Sequence, residues 1–200
     1  GNVNGVIYTN PNNKEKFQGA SLVIVACSGI GTPRLLLNSA NKLFPKGLAN
    51  SSGLVGKNLM LHPLGLVEGK FDKFLGSFIG PEGCCLASQE FYETIKDAKH
   101  KRGYTMQVLR SSGPLETAFS ARKFKNLSFG KDFHKQFSQN YGKTIPVAII
   151  CEDLPEKHNS VELDHNKKDS SGMPGVKINY KLSENSKKML VHGLSKAKEV

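Results

Sequence analysis

The chain changes its hydrophobic pattern about a third of the way along, from a continuous apolar run to short alternating segments. Residues 20–27 are mostly apolar and rich in β-branched side chains, which is typical of a strand buried on both faces of a parallel sheet. A glycine-rich stretch, residues 28–31, comes next. Thr32 then suits the N-cap of a helix and Pro33 its first position. The pattern predicts a strand, a tight turn and a helix in succession.

Most later apolar residues alternate with polar ones in short segments separated by turns, which favours an antiparallel sheet. A loop over residues 48–63 precedes these segments. Five strands are predicted after it: residues 64–71, 104–110, 144–151, 161–163 and 176–180. A further short strand at residues 4–9 ends in a turn. The fold class predicted is an α/β segment followed by an α+β segment.

Two helices are predicted in the later part of the chain. The first covers residues 90–99. The second covers residues 183–199, where Ser183 can cap the first turn. Its apolar positions recur at helical spacing and predict one buried stripe, formed by Met189, Leu190, Leu194 and Ala197.

Composition narrows the functional classes. The 200 residues are 38% hydrophobic and include 11 Phe, which argues against disorder. No apolar run approaches the roughly 18–20 residues that a membrane-spanning helix needs, so no transmembrane segment is predicted. The net charge of +11 is concentrated in residues 99–143, which hold ten basic residues and two acidic ones.

The same basic stretch is interleaved with aromatic residues: Phe119, Phe124, Phe129, Phe133, Phe137 and Tyr141. Basic and aromatic residues together can bind nucleic acid or another polyanion. No nucleic-acid module motif accompanies them, so a solvated insertion with its Phe residues facing a core is favoured. We expect no specific nucleic-acid partner.

The four cysteines predict neither a disulfide framework nor a metal site. Cys27, Cys84, Cys85 and Cys151 contain no C-x-x-C pair, and His62 is not at zinc-ligand spacing from any of them. We interpret all four as reduced thiols, which favours a cytoplasmic location.

The glycine-rich turn at residues 28–31 has two interpretations. A strand followed by a glycine turn and a helix brings backbone N–H groups and the positive end of the helix close to a ligand's phosphates or ribose. However, Gly29-Ile30-Gly31 is not the G-x-G-x-x-G fingerprint, and the acidic residue that should follow that fingerprint is absent. From these residues alone, a junction that only packs remains open.

Three ordered motifs carry a family resemblance. VIVACSGIGTPRLL at residues 23–36 and LVGKNLMLHP at residues 54–63 resemble segments of the glucose–methanol–choline (GMC) flavoprotein oxidoreductases. A third run, EDLP, NSVELD, then Asp169, Gly172, Pro174 and Tyr180, is similar to a later segment of that family. The resemblance covers nearly the whole chain and is weakest over residues 77–141. The branch it resembles is choline-dehydrogenase-like or gluconate-dehydrogenase-like.

The resemblance implies a two-domain arrangement. Residues 1–64 would be the C-terminal part of a Rossmann-like FAD-binding domain. Residues 65–200 would be part of a substrate-binding domain, an antiparallel sheet with flanking helices. By the same resemblance, the glycine-rich FAD turn would lie upstream of this chain and the catalytic histidine downstream. We therefore expect no catalytic residue here, and little FAD affinity or activity from this chain alone.

The family implies hydride transfer from the CH–OH group of an alcohol or sugar-like substrate to flavin N5, after a histidine takes the hydroxyl proton. Oxygen, a quinone or a cytochrome would then take the electrons, and a dehydrogenase is favoured over an oxidase. A separate electron-accepting subunit is also possible in such enzymes. The resemblance places five residues near the FAD cofactor: Ser28, Gly29, Thr32, Asn58 and His62.

Some of these residues have purely structural alternatives. Hydrogen bonds that fix the loop would explain Asn58 and His62, and a cation on a helix surface would explain Arg34. Two other functions also stay open: another α/β nucleotide-binding oxidoreductase, such as a nicotinamide-dependent one, and a polyanion-binding module built on residues 99–143.

Overall fold

The computed structural model of the chain describes residues 2–81, 83–94, 96, 98–123 and 127–200. The chain divides into two compact units. The first contains Gly1–Met60 and Pro155–Lys181, and the second contains Leu61–Leu154 and Leu182–Val200. The first unit is therefore assembled from two segments that are far apart in sequence. The assignment of residues 1–64 and 65–200 to FAD and substrate binding stays a prediction.

Eight strands and four helices are described. The strands are β1 Gly5–Thr9, β2 Glu15–Gly19, β3 Leu64–Lys70, β4 Cys84–Ser88, β5 Tyr104–Leu109, β6 Thr144–Cys151, β7 Ser160–Lys168 and β8 Pro174–Asn179. The helices are α1 Ser28–Asn38, α2 Pro114–Lys123, α3 Phe133–Asn140 and α4 Glu184–Ala197. Every pairing among the described strands is antiparallel, which confirms the antiparallel character expected for the later part of the chain.

The first unit contains two hairpins and one helix. Strands β1 and β2 pair across the turn at residues 10–13, where the Asn10 side chain accepts hydrogen bonds from the N–H groups of Asn12 and Lys14. Strands β7 and β8 form the second hairpin. Strand β2 was not predicted because its residues are all exposed and Phe17 is its one large apolar side chain, so they show no apolar alternation.

The prediction of a doubly buried strand over residues 20–27 is wrong for the described structure. The segment belongs to no strand, and Leu22 and Ile24 are 75% and 81% exposed. A strand needs a neighbour for its backbone hydrogen bonds, and a buried strand also needs a layer over its side chains. None of the described residues supplies either to this segment. The apolar pattern indicates burial but does not specify which strand or layer would cover the segment.

The second unit is a four-stranded sheet in the order β3-β6-β5-β4, with α4 packed against it. The buried side chains lie between the sheet and the helix: Tyr104, Met106, Val147, Ile149, Cys151, Met189 and Ala197. Gly193 allows α4 to approach closely, because a Cβ there would lie 2.5 Å from Cγ2 of Ile149. The predicted stripe of α4 is confirmed, since Leu190 and Leu194 also pack against this core.

Helix α4 begins as predicted. Ser183 is its N-cap, and the Ser183 hydroxyl accepts a hydrogen bond of 3.0 Å from the N–H of Ser186. Ser186 is itself fully buried and donates its hydroxyl to Oδ1 of Asp153 at 2.9 Å. Asp153 also accepts from the N–H of Leu61 through Oδ2, at 3.3 Å. The buried Asp153 carboxylate, which follows β6, thus links the start of α4 to the segment that precedes β3.

The middle of the second unit differs most from the prediction. Residues 90–94 form turns rather than the start of a helix, and residues 95 and 97 of the predicted helix lie outside the described residues. Strand β4 and helices α2 and α3 were not predicted. Helix α2 carries weak apolar periodicity, α3 is only eight residues long, and β4 is exposed along its whole length. Tertiary context rather than local pattern determines this region.

A buried polar contact lies in the core of the second unit. Tyr104 is 1% exposed, and its hydroxyl is 2.9 Å from Nδ1 of His192. Burial, aided by the charges of Cys151 and Glu90, raises the pKa of Tyr104 to about 12. Burial also lowers the pKa of His192, and His100 nearby lowers it further. At neutral pH, Tyr104 therefore donates to an uncharged His192.

We predict that this contact makes stability depend on pH. The folded pKa of His192 lies below its unfolded value of about 6.5, so the unfolded chain binds more protons in between. The free energy of unfolding should fall as the pH drops below about 6.5, by up to roughly 1.4 kcal/mol for each pH unit within that window. Denaturant titrations at several pH values across this range give the free energy of unfolding at each pH. This free energy should change less with pH in His192→Gln than in the wild type. An equal pH dependence in both proteins would contradict the assignment to His192.

Candidate functional site

The exposed N-terminal end of α1 is the candidate ligand-binding feature of the first unit. Ser28, Gly29 and Ile30 are all exposed, and the first turn contains no acidic residue. The first N–H groups of a helix have no partner within the helix and carry its positive dipole end. A Cβ built on Gly29 meets nothing within 4 Å. This end of the helix therefore presents backbone donors, with room around them for an anionic group.

The helix begins earlier than predicted. Residues 28–31, expected to form a turn, already belong to α1, with Ser28 in the left-handed backbone region at a φ of 62°. Thr32 is therefore not the N-cap, although its Oγ1 accepts a hydrogen bond of 3.2 Å from the N–H of Cys27. Pro33 is the sixth helical residue, not the first. The threonine still satisfies one donor next to the helix start, so it fixes the approach of the chain to that end.

Arg34 joins α1 to the β7–β8 hairpin and is more than a surface cation. Its Nη2 is 2.7 Å from Oδ2 of Asp169, and both Nε and Nη2 donate to the carbonyl of Pro174. Asp169 also holds the hairpin turn, since its Oδ1 accepts from the N–H groups of Ser171 and Met173. The hydrogen bond from Arg34, with those turn contacts, lowers the pKa of Asp169. Arg34 thereby fixes how α1 lies against the hairpin.

The loop that carries Asn58 is held against the start of β7 by backbone contacts. The N–H of Val161 donates to the carbonyl of Gly56 at 2.7 Å, and the N–H of Leu59 donates to that of Asn159 at 3.0 Å. Gly56 has a φ of 80°, and a Cβ there would lie 2.2 Å from the Val161 carbonyl oxygen. Glycine is therefore required at this position.

Asn58 lies within that paired stretch, half-buried and in the left-handed backbone region at a φ of 57°. Lys57, just before it, forms an ion pair of 2.8 Å with Glu162. The hydrogen bonds from Lys57 and Ser160 lower the pKa of Glu162. The backbone at Asn58 is thus fixed from both sides, whatever its side chain binds.

His62 belongs to the second unit. Its Nδ1 is 3.2 Å from the carbonyl oxygen of Cys151, and a carbonyl only accepts, so Nδ1 carries the proton. The imidazole is otherwise exposed. In that tautomer the lone pair is on Nε2, which can accept a hydrogen bond from a ligand.

The predicted cofactor-binding residues fall into three places. Ser28, Gly29 and Thr32 share the N-terminal end of α1, Asn58 lies in the loop of the same unit, and His62 is in the other unit. Sequence reasoning missed the structural roles of Arg34 and Asp169. Their pairing joins residues 135 positions apart, and no local pattern contains that information.

The basic stretch at residues 99–143 does not present its aromatic side chains together. Phe133, Phe137 and Tyr141 are half-buried and stack along α3, and Tyr141 also stacks on Phe78 at 4.5 Å. Phe119 is exposed. Phe124 lies outside the described residues. The aromatic side chains of α3 therefore stack on one another and on Phe78, and they are not spread over a basic surface.

Basic side chains also line a groove of the second unit. The groove has a volume of about 660 Å³ and lies between α4 and the loop at residues 96–100, and its basic lining residues are Lys96, Lys99, His100, Lys187, Lys188 and His192. Within the described ranges, no group of three or more His, Cys, Asp or Glu is arranged to hold a metal ion. No helix in the same ranges is long and apolar enough to cross a lipid bilayer.

Comparison with known proteins identifies relatives. Residues 1–64 match the family model described as GMC oxidoreductase. Over 98% of its length, the chain is 38% identical to a 2-methyl-1,2-propanediol dehydrogenase of Mycolicibacterium austroafricanum, of which it covers 36%. Over 91% of its length, it is 24% identical to a fructose dehydrogenase large subunit of Gluconobacter japonicus, of which it covers 33%. The chain thus spans about a third of the length of these curated relatives.

We predict that the contact between Gly56 and Val161 is required for the loop at Asn58 to form. Gly56→Ala should destabilise the protein by about 2–4 kcal/mol, because it adds a backbone clash to the strain of a positive φ and breaks the hydrogen bond from Val161. Urea unfolding measures the change in the free energy of unfolding.

Gly53→Ala is the matched control. Gly53 also has a positive φ of 71°, but a Cβ there meets nothing within 4 Å. It should therefore lose only the strain contribution, about 1 kcal/mol. Equal losses in the two variants would show that the close approach to Val161 does not stabilise the loop.

Proposed function

Because the chain belongs to the GMC oxidoreductase family, we propose that it forms part of an FAD-dependent dehydrogenase acting on the CH–OH group of an alcohol or sugar-like substrate. Membership of this family favours FAD over the nicotinamide cofactor of the alternative enzyme class. The two relatives are named as dehydrogenases of a diol and of a sugar, which supports this substrate class. The same names favour a dehydrogenase over an oxidase.

The observation that carries the proposal is the exposed start of α1 inside the segment that matches the family model. FAD contains a pyrophosphate, and unpaired backbone N–H groups at the positive end of a helix suit such an anion. The space around Gly29 and the lack of acidic residues in this turn fit the same group. We therefore assign Ser28, Gly29 and Thr32 to the adenosine or pyrophosphate side of FAD, within a Rossmann-like domain.

Asn58 and His62 are assigned to the cofactor as well. Asn58 has a backbone fixed by pairing with β7, so less backbone freedom is lost when its amide binds a ligand. His62 directs its Nδ1 proton to the Cys151 carbonyl and has an exposed ring, so in that tautomer Nε2 can accept a hydrogen bond from the cofactor. Each residue is thus preorganised within its own unit to hold a polar group of the cofactor.

The flavin, when bound, supplies the electron sink that accepts a hydride from the alcohol carbon. The residues of this chain bind and orient, and we propose that the histidine that takes the hydroxyl proton lies outside it. The placement of His192 supports this for one described histidine, because its Nδ1 is already bonded to the hydroxyl of the buried Tyr104. The electron acceptor is proposed to be a quinone, a cytochrome or oxygen.

We predict that a negative charge at the start of α1 weakens FAD binding without harming the fold. Gly29→Glu in the full-length protein has room for its side chain and places a carboxylate where it stabilises a helix but repels a pyrophosphate. The Kd for FAD should rise about tenfold, as expected for a charge effect of about 1–2 kcal/mol. Flavin fluorescence titration of the apoprotein measures it.

Gly29→Gln is the control, because it has nearly the same shape without the charge. Its FAD affinity should stay within about twofold of the wild type, and the thermal stability of both apoproteins should be preserved. If the two variants bind FAD equally well, the start of α1 does not contact the cofactor's phosphates.

We further predict that the 200-residue chain alone binds little FAD and oxidises no alcohol. It spans about a third of its relatives, so most of the groups that would enclose the cofactor are not among its residues. The purified chain, mixed with excess FAD and desalted, should show almost no flavin absorbance. A stoichiometric yellow protein would contradict this expectation.

A further inference from the structure

Cys84 and Cys85 are adjacent thiols on an exposed strand. Both lie in β4, which is at the edge of the described sheet and exposed along its whole length. The other two cysteines are different: Cys27 is exposed but single, and Cys151 is fully buried. The chain therefore carries one exposed vicinal dithiol together with two natural reference thiols.

The strand is irregular at this pair. Cys84 pairs with Leu109 and Leu86 pairs with Val108, so Cys85 is an extra residue in a β-bulge. In a regular strand, adjacent side chains point to opposite faces, whereas a bulge interrupts that alternation and leaves its extra residue unpaired. The backbone at Cys85 is therefore less constrained by the sheet than that of its neighbours.

Both thiols lie close to backbone carbonyl groups in or just before the strand. The Cys84 thiol lies 3.1 Å from the carbonyl oxygen of Leu86, and the Cys85 thiol lies 3.9 Å from that of Gly83. Gly83 has a φ of 106°, so the chain leaves regular strand geometry immediately before the pair. Both thiols are thus held near the bulge and within reach of solvent.

We propose that Cys84 and Cys85 form a redox modification site that a hydroperoxide converts into a vicinal disulfide. One thiolate attacks the peroxide, so its O–O bond breaks and a sulfenic acid forms. The neighbouring thiol then attacks that sulfur, an S–S bond forms, and water leaves. The two sulfurs lose two electrons in total, and the peroxide is reduced to water or to water and an alcohol.

The geometry also determines the character of this disulfide. Adjacent Cα atoms are about 3.8 Å apart, which is closer than the usual separation of about 4.4–6.8 Å in disulfides. The bond is therefore strained and more easily reduced than a structural disulfide. The bulge and the edge position supply the backbone freedom that the small ring needs. The site is reversible and does not serve as a staple.

Cys151 is the internal reference for an unreactive thiol. It is fully buried, and burial raises its pKa to about 11, so it forms little of the reactive thiolate. Cys27 is the reference for an accessible thiol without an adjacent partner. Its sulfenic acid has no neighbouring sulfur to condense with, so it should persist or oxidise further.

The experiment uses the full-length protein treated with a small excess of hydrogen peroxide, then alkylated with N-ethylmaleimide and analysed by peptide mass spectrometry. The peptide containing Cys84 and Cys85 should lose two hydrogens, escape alkylation and regain both alkylation sites after treatment with dithiothreitol. The peptide containing Cys151 should not be oxidised. Cys27 should give a dimedone-trapped sulfenic acid.

Cys84→Ser and Cys85→Ser test the pair directly, and Cys27→Ser is the matched control. Each serine variant of the pair should lose the disulfide and gain dimedone labelling at the remaining thiol, whereas Cys27→Ser should leave the disulfide unchanged. Circular dichroism checks that the variants fold. The proposal is overturned if Cys84 and Cys85 stay fully alkylated, or if they oxidise separately to sulfinic acids or pair only between molecules.

Discussion

The antiparallel contact between the loop at residues 56–59 and the start of β7 is the constraint on which the first unit depends. It brings together segments about a hundred residues apart through the backbone groups of Gly56, Val161, Leu59 and Asn159. Val161 and Asn159 are almost completely buried at this contact. Ordering so long an intervening segment is entropically costly, so the contact must be closely packed and well hydrogen-bonded to persist. The glycine at position 56 makes that closeness possible.

The charged contacts of the same unit refine this arrangement more than they create it. The ion pairs of Lys57 with Glu162 and of Arg34 with Asp169 are both partly exposed, and such pairs contribute little to stability. Their geometry is still informative, because Arg34 also donates twice to the Pro174 carbonyl. Arg34 therefore sets the orientation of α1, while backbone packing supplies most of the stabilisation.

Sequence patterns predicted the elements whose own residues contain the necessary information. Alternation located β3 and β5, a short apolar run located β6, and helical spacing with a serine cap located α4. In β3 the apolar Leu64 and Leu66 are exposed. In β5, β6 and α4, by contrast, the apolar side chains form a buried face. The polar strand β2 and the exposed strand β4 have no such face. The strand predicted for residues 20–27 was wrong for another reason. A continuous apolar run indicates burial but does not specify which strand or layer would cover it.

The candidate site was partly predictable for a related reason. The motifs around Gly29 and Asn58 can be recognised from their residue types alone. Their contribution, however, is conformational: open space at Gly29, a close backbone approach at Gly56, and a positive φ at Ser28 and Asn58. A sequence motif records which residue types such a backbone tolerates. It does not record the distant residues that hold the backbone in place, such as Asp169 and Val161. The backbone at the candidate site therefore depends on distant residues as well as on its own motif.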